Sequence, residues 1–154
     1  MNHWLMKSEP QVFSIDDLDR APGQTTRWDG VRNFQVRNMI RDDMRVGDLA
    51  FFYHSSCPQP GIAGVVELRS RGYPDPSAWD RGSEYFDAKS PENKPLWYTV
   101  DVRLKRRFDQ VISLSTLRGH EAGVLSGLAL LRKGNRLSVT TVTQAHWKFI
   151  LSLA

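Results

Sequence analysis

A predicted β-hairpin near the centre of the chain sets the first limit on the fold. Residues 49–54 (LAFFYH) are almost uniformly apolar and aromatic, a pattern typical of a strand buried on both faces. Residues 58–61 (PQPG) form a turn, and residues 62–68 (IAGVVEL) then predict a second strand that pairs back on the first. Residues 97–108 alternate between polar and apolar side chains, which predicts a third, longer strand.

Shorter elements are predicted on both sides of this hairpin. Residues 3–7 read as an opening strand and residues 136–139 as a last strand. Ser14, with an acid three residues later, predicts a capped helix start, and residues 33–44 carry apolar side chains at helical spacing. Thr143 is expected to cap a C-terminal helix. Strands outnumber helices, so we expect an α+β fold with a curled mixed β-sheet of about five to six strands and flanking helices.

Composition excludes several classes of protein. A chain of 154 residues fits a single domain spanning residues 1–154, and its net charge of +4 comes from 15 Arg and 6 Lys against 17 acids. Cys57 is the only cysteine, which excludes an internal disulfide and a thiolate zinc cluster. The four His are scattered, so we expect no metal and no cofactor. The start of the chain resembles no secretory signal, so we expect a cytoplasmic protein without a membrane partner.

Residues 28–38 (WDGVRNFQVRN) carry the strongest functional pattern. Gly30 allows a sharp turn directly after Trp28, which would leave the indole free to face a cavity. The helix that follows bears an Arg at every fourth position, at Arg37, Arg41 and Arg45. A flat aromatic ring beside cations is suited to stacking on a nucleobase and holding its phosphates. The alternative is a buried core Trp followed by an ordinary solvated helix face, and the residues themselves leave both open.

Five ordered blocks resemble a known family. They are residues 4–10 (WLMKSEP), 28–33 (WDGVRN), 52–55 (FYHS), 61–64 (GIAG) and 136–139 (RLSV). Together they resemble the EVE domain family over nearly the whole chain. The resemblance implies a PUA-like pseudo-barrel. It also implies a likeness to the YTH domain, which reads N6-methyladenine in an aromatic cage, and a role as a reader of modified bases.

The resemblance also implies a set of pocket residues. With the polar residues expected to point inward, the set is Lys7, Ser8, Trp28, Asn33, Tyr53, His54, Ser55, Trp97 and Ser138. Trp28 would form one wall of the base cage and Asn33 would bond a base edge. Trp97 would form a second wall, with Trp79 as a competitor for that role. The predicted partner is therefore RNA or DNA that carries a modified base, bound without catalysis.

The phosphate-binding surface is predicted from charge. Arg103, Lys105 and Arg107 alternate along the predicted third strand and would share one face of it. Arg136 adjoins the last family block and is a further candidate. The Arg37 helix is a third, diluted by two neighbouring acids.

Two other classes of function stay open at this point. An enzyme could act on a nucleotide or small ligand in the same pocket, and His54 is its only suitable titratable group. Cys57 is a poor nucleophile, because a Pro follows it and no helix start is available to lower its pKa. A plain protein-interaction module would instead use all its aromatic residues as core, and it would show no open cavity at Trp28.

Overall fold

A curled six-stranded sheet organises the fold. The computed structural model describes residues 1–154. The strands are β1 (His3–Ser8), β2 (Thr25–Arg27), β3 (Leu49–His54), β4 (Gly61–Leu68), β7 (Asp101–Ser113) and β8 (Val139–Val142), with β5 (Tyr73–Pro74) and β6 (Tyr98–Thr99) forming a separate small ribbon. The sheet order is β2-β7-β4-β3-β1-β8, and only β1 and β3 run parallel. The sheet is thus mixed and closes into a half-barrel, as the expected fold class requires.

Four α-helices flank this sheet. They are α1 (Ile15–Arg20), α2 (Phe34–Asn38), α3 (Leu114–Arg118) and α4 (Gln144–Ser152). Ser14 caps α1 in a reciprocal capping box, and Thr143 caps α4, so both predicted helix starts are confirmed. The helix predicted over residues 33–44 is also confirmed, but its second half, Met39–Asp43, is a π-helical turn. No helix has the length and apolar character needed to cross a bilayer.

The predicted hairpin is present as β3 and β4. Phe52 pairs with Gly64 and Tyr53 with Ile62, so Ala63 is an extra residue that bulges out of the ladder. A Cβ on Gly64 would lie 2.4 Å from the Arg106 carbonyl oxygen of β7. Glycine at this position therefore lets β7 pass close to the hairpin, which helps the sheet to curl.

The two faces of the sheet pack against different helices. On one face, Trp4, Met6 and Phe52 form a core with α1 and α2, which we call the α2 core. On the other face, Phe51 and Trp147 belong to a second core with α3 and α4, which we call the α4 core. Neighbouring residues of β1 and β3 enter opposite cores because side chains alternate along a strand.

Two predicted strands have other limits in the structure. The last strand begins at Val139, and residues 136–138 lie outside it. β7 begins at Asp101 instead of residue 97, because residues 98–99 pair with β5, and it runs five residues beyond the predicted end at Phe108. Residues 73–95 carry four prolines and no clear period, which predicts a long and mostly irregular loop; they are mostly irregular but contain β5 and a 3₁₀ turn at Pro76–Trp79.

Candidate functional site

A cavity of about 640 Å³ opens beside the ends of β1 and β2. Its walls come from β1 and the loop after it, from β2 and the turn after it, from the loop before β6, and from the segment before β8. The lining residues are Lys7, Ser8, Glu9, Val12, Phe13, Thr26, Arg27, Trp28, Asp29, Gly30, Val31, Glu84, Tyr85 and Ser138. Four segments far apart in the sequence therefore converge on one concave site.

Trp28 forms one wall of this cavity and also belongs to the α2 core. Only 8% of it is exposed, and its ring meets Phe52 edge-on at 5.5 Å between centroids. Its backbone N–H donates to the Val100 carbonyl oxygen at 2.9 Å, and its carbonyl oxygen accepts from the Thr99 hydroxyl at 2.6 Å. The two interpretations of Trp28 from sequence, core residue and cavity wall, thus both describe it.

Tyr85 supplies a further aromatic side chain to the cavity, in addition to Trp28 and Phe13. Gly30 has a φ of +86°, and a Cβ built on it would lie 2.5 Å from the Tyr85 ring. Any other residue at position 30 would therefore strain the backbone and push the ring away. Burial and then the neighbouring Glu84 carboxylate raise the pKa of Tyr85, so its hydroxyl stays protonated at neutral pH.

Arg32 fastens the loop that carries Tyr85 to the turn that carries Trp28. Its guanidinium donates to the Tyr85 carbonyl oxygen at 2.7 Å and to the Asp75 carboxylate at 3.1 Å. The Asp75 side chain is fully buried. Burial favours its neutral form, but hydrogen bonds from Ser77 and Arg32 outweigh this and hold the pKa of Asp75 below its usual range. The guanidinium also lies 5.3 Å from the Trp97 ring centroid and 5.6 Å from that of Tyr85.

The polar groups in the cavity differ in how many partners they have. Arg27 holds the Asp29 carboxylate through both of its oxygens. The Ser8 hydroxyl donates to the Phe13 carbonyl oxygen at 2.6 Å. Lys7 and Glu84 have no ion-pair partner within 4 Å, and burial lowers the pKa of Lys7. One donor and one acceptor are therefore free to meet a ligand.

The structure brings four of the expected pocket residues together. Lys7, Ser8, Trp28 and Ser138 all line the cavity. The Lys7 backbone N–H donates to the Ser138 carbonyl oxygen at 2.8 Å, which joins the two chain segments.

Four other expected residues lie outside the cavity lining. The Asn33 side-chain oxygen accepts from the Val36 N–H at 3.0 Å, so it caps α2 instead of facing a base. Tyr53 packs in the α4 core, on the opposite face of the sheet. His54 Nε2 accepts from the Ile15 N–H at 3.1 Å beneath α1, and the Ser55 N–H donates to the Ser8 carbonyl oxygen.

Trp97 and Trp79 also lie outside the cavity. The Trp97 indole N–H donates to Asp87 at 2.7 Å, and its ring stacks on Phe34 at 4.7 Å between centroids. The Trp79 indole N–H donates to the Ser90 carbonyl oxygen at 2.7 Å. The aromatic side chains at the cavity are therefore those of Phe13, Trp28 and Tyr85, and the Trp97 ring instead contacts the Arg32 guanidinium.

The basic residues of β7 do not form the expected common face. Arg107 pairs with Gly64 and Arg103 with Glu67, three residues apart on β4, so the two side chains lie on opposite faces. The prediction of one shared face is wrong because a bulge at Lys105 shifts the register.

The charges of these residues are also largely compensated. Arg107 pairs with Asp16 and Asp19 of α1, and Lys105 lies 3.9 Å from Glu67. Arg103 has no ion-pair partner. Arg136 is exposed and unpaired, two residues before the cavity residue Ser138. Arg103 and Arg136 therefore keep free charge for a phosphate.

Sequence reasoning missed Glu84 and Tyr85 at the cavity and the clamp formed by Arg32. Arg32 lies in residues 28–33, the sequence block that contains Trp28 and Gly30. An arginine so close to that glycine could have been recognised from the sequence as a further site residue. Glu84 and Tyr85 lie in the long proline-containing loop, whose length alone suggested a functional role.

The half-barrel sheet, its four helices and the aromatic side chains at the cavity define a PUA-like domain with a ligand-sized pocket. The chain belongs to the EVE domain family, whose sequence model matches residues 2–153. It is 42% identical to human thymocyte nuclear protein 1 over 167 aligned positions, covering 99% of this chain and 73% of that protein.

Solved structures agree with this assignment. A crystal structure of the human THYN1 protein in complex with DNA containing 5-methylcytosine superposes with a TM-score of 0.94 at 41% identity, covering 99% of this chain and 97% of that one. A Pseudomonas putida protein superposes with a TM-score of 0.92 at 49% identity, covering 98% of both chains.

Proposed function

We propose that this chain binds DNA non-catalytically and accepts a single methylated base, 5-methylcytosine, in the cavity beside Trp28 and Tyr85. The observation that carries the proposal is this cavity, which three aromatic side chains line, those of Phe13, Trp28 and Tyr85. It is supported by the crystal structure of the 41% identical human THYN1 protein with DNA containing 5-methylcytosine.

Stacking supplies the affinity in this proposal. A base that contacts an aromatic side chain gains about 1–3 kcal/mol for each stack, whichever base it is. In this proposal the base leaves its duplex or comes from a single strand, because its faces are covered by neighbouring bases as long as it stays in the stack. Val12, Phe13 and Val31 offer apolar surface for a methyl group. Burying that methyl contributes about 0.8 kcal/mol, or about fourfold in affinity.

The free polar groups match the edge of cytosine. Its amino group is a donor, and its N3 and O2 are acceptors. Glu84 can accept from the amino group, and Lys7 can donate to an acceptor, since neither is held in an ion pair. Thymine has the same methyl group but presents an oxygen where 5-methylcytosine has the amino group. That oxygen and the Glu84 carboxylate are both acceptors, so no hydrogen bond would form between them. We infer that the pocket favours an amino-bearing base.

The position of His54 supports binding without chemistry. His54 was the one titratable group expected to serve an enzyme in this pocket. It lies outside the cavity lining, its Nε2 is occupied by the Ile15 N–H, and burial lowers its pKa. A general base must reach the atom that it deprotonates, and this imidazole is held beneath α1.

Titration of single-stranded oligonucleotides that carry one central cytosine or 5-methylcytosine tests the proposal. Tyr85→Ala should weaken binding of the methylated strand by about 5- to 150-fold, and Tyr85→Phe should restore most of it because the ring is kept. Trp79→Phe is the matched control from the same loop and should bind like the parent. Equal binding of both strands by the parent, or full binding by Tyr85→Ala, would contradict the proposal.

A further inference from the structure

Two aromatic side chains are exposed, and an arginine guanidinium lies over the ring of each. Phe34 is 53% exposed and Phe86 is 38% exposed, whereas the other aromatic residues are buried or half-buried. The Arg37 guanidinium lies 4.9 Å from the Phe34 ring centroid, and the Arg81 guanidinium lies 6.0 Å from that of Phe86. We call these four residues the outer platform.

A series of ring contacts connects the outer platform to the cavity wall. Phe34 stacks on Trp97, Trp97 faces Arg32, and Arg32 faces Tyr85 in the cavity. Phe86 directly follows Tyr85 in the chain. The Trp97 indole also bonds Asp87, so both exposed rings are tied to the same support. A strand with one base beside Tyr85 would therefore have its neighbouring nucleotides close to this surface.

The charges of the outer platform are not compensated by acids. The Arg37 guanidinium donates to the Leu96 carbonyl oxygen and the Asn38 side-chain oxygen, and it has no carboxylate within 4 Å. Arg81 has no carboxylate partner within that distance either. By contrast, acids neutralise Lys105 and Arg107 of β7. Phosphate binding is thus better supported here than on the strand that the sequence favoured.

We propose that the outer platform binds the nucleotides that flank the base in the cavity. The inference rests on the proposed function, since it assumes that a base occupies the cavity. A base that leaves its stack exposes the faces of its neighbours, and aromatic side chains can replace the lost contact. Phe34 and Phe86 would stack on flanking bases, while Arg37 and Arg81 would neutralise the backbone. Exposed rings interleaved with free cations are the usual combination in single-strand binding.

Ligand length separates this proposal from base recognition. The test compares 5-methyl-dCMP, which can fill only the cavity, with a single-stranded nonamer that has one central 5-methylcytosine. The double variant Phe34→Leu/Phe86→Leu keeps apolar side chains, including one against Trp97, but removes both flat rings. It should bind the nonamer at least about fivefold more weakly and bind 5-methyl-dCMP like the parent.

Salt dependence tests the two arginines. Arg37→Gln/Arg81→Gln should flatten the slope of log affinity against log salt for the nonamer by about 1.4, at about 0.7 for each phosphate. Lys105→Gln/Arg107→Gln on β7 is the matched control, with the same loss of charge from two cations that have acidic partners, and should change the slope less.

Several results would overturn the outer platform. One is binding of the nonamer by the Leu variant with the affinity of the parent, and another is an equal loss of affinity for the nonamer and for 5-methyl-dCMP in that variant. A third is a β7 control that flattens the salt slope more than the platform variant does. A parent that binds the nonamer no more tightly than 5-methyl-dCMP would also overturn it while leaving the proposed function intact. A parent without preference for the methylated nonamer would overturn the proposed function itself.

Discussion

Trp28 and Trp147 are buried to similar extents on opposite faces of the same sheet, yet their surroundings differ. Trp147 is 4% exposed and stacks on both Phe51, at 3.9 Å between centroids, and His3, at 4.5 Å. Trp28 is 8% exposed, but it meets one aromatic ring edge-on and borders a cavity of about 640 Å³. The same residue type therefore completes the packing of one face and leaves space on the other.

The difference shows that low exposure alone does not identify a core residue. A ring beside an empty volume lacks dispersion partners there, so it contributes less to stability than a ring packed on both sides. The missing contact is available to a ligand. Substitutions of the two tryptophans should therefore differ in their effects when stability and binding are measured on the same variants.

Trp147→Ala should produce the largest loss of stability, about 3–5 kcal/mol, because it empties a buried site in which the indole stacks on two other rings. Denaturant titration of the variant and its parent measures this. The part of the population that stays folded should bind the methylated strand like the parent. A loss below about 1 kcal/mol would contradict the role of Trp147 in the α4 core.

Trp28→Ala should be less destabilising than Trp147→Ala and should weaken binding of the methylated strand. Losing one stack should weaken binding by about 5- to 150-fold. Because only 8% of Trp28 is exposed, some loss of stability accompanies the loss of binding. Paired denaturation and binding titrations at low temperature test this; equal destabilisation by the two substitutions, with binding retained, would place Trp28 wholly in the core.

Glu84→Gln should change selectivity more than affinity. Glutamine can donate a hydrogen bond to the thymine oxygen that the glutamate carboxylate would repel. We therefore expect the preference for 5-methylcytosine over thymine to fall by about tenfold, at about 1–1.5 kcal/mol for one hydrogen bond. Competition between the two oligonucleotides measures the ratio. Glu92→Gln, an exposed change in the same loop, is the control, and an unchanged ratio in Glu84→Gln would remove Glu84 from recognition.

Acidification should give the smallest effect and should act on both faces. Burial lowers the pKa of His54 beside the cavity face and of His3 against Trp147, from an ordinary value of 6.5. The unfolded chain then binds more protons, so stability is complete above pH 6.5 and declines as the pH falls through the folded-state pKa. Thermal melts between pH 7 and 5 should show a shallower decline in His54→Gln and in His3→Gln. An unchanged decline in both variants would contradict the assignment of this pH dependence to His54 and His3.

Features set by near neighbours in sequence could be predicted. The β3–β4 hairpin followed from two apolar segments and a PQPG turn, and the Ser14 and Thr143 caps followed from residues within one helical turn. Gly30 was predicted to allow a sharp turn after Trp28; its φ of +86° does use the conformational freedom of glycine, but residues 28–33 form neither a turn nor a bend. The resemblance to the EVE family placed the expected pocket at the end of the first strand, where the cavity lies.

Features set by distant parts of the chain could not be predicted. Arg32 reaches Asp75, 43 residues away, and brings Tyr85 to the cavity from a loop without a regular period. The bulge at Lys105 arises where β7 pairs with β4, and no alternation in the β7 sequence reveals it. Asn33 was predicted to bond a base, yet its side chain caps α2, a use that the residue type permits equally well.

The position of the bound base tests the central claim most directly. The measurement is the set of nuclear Overhauser effects from the 5-methyl protons of a bound oligonucleotide that contains one 5-methylcytosine. The account predicts contacts from this methyl group to cavity residues, with Val12, Phe13 and Val31 as candidates, and contacts from the base ring proton to Trp28 and Tyr85. Methyl contacts confined to residues outside the cavity, such as Trp79 or Trp97, would contradict it.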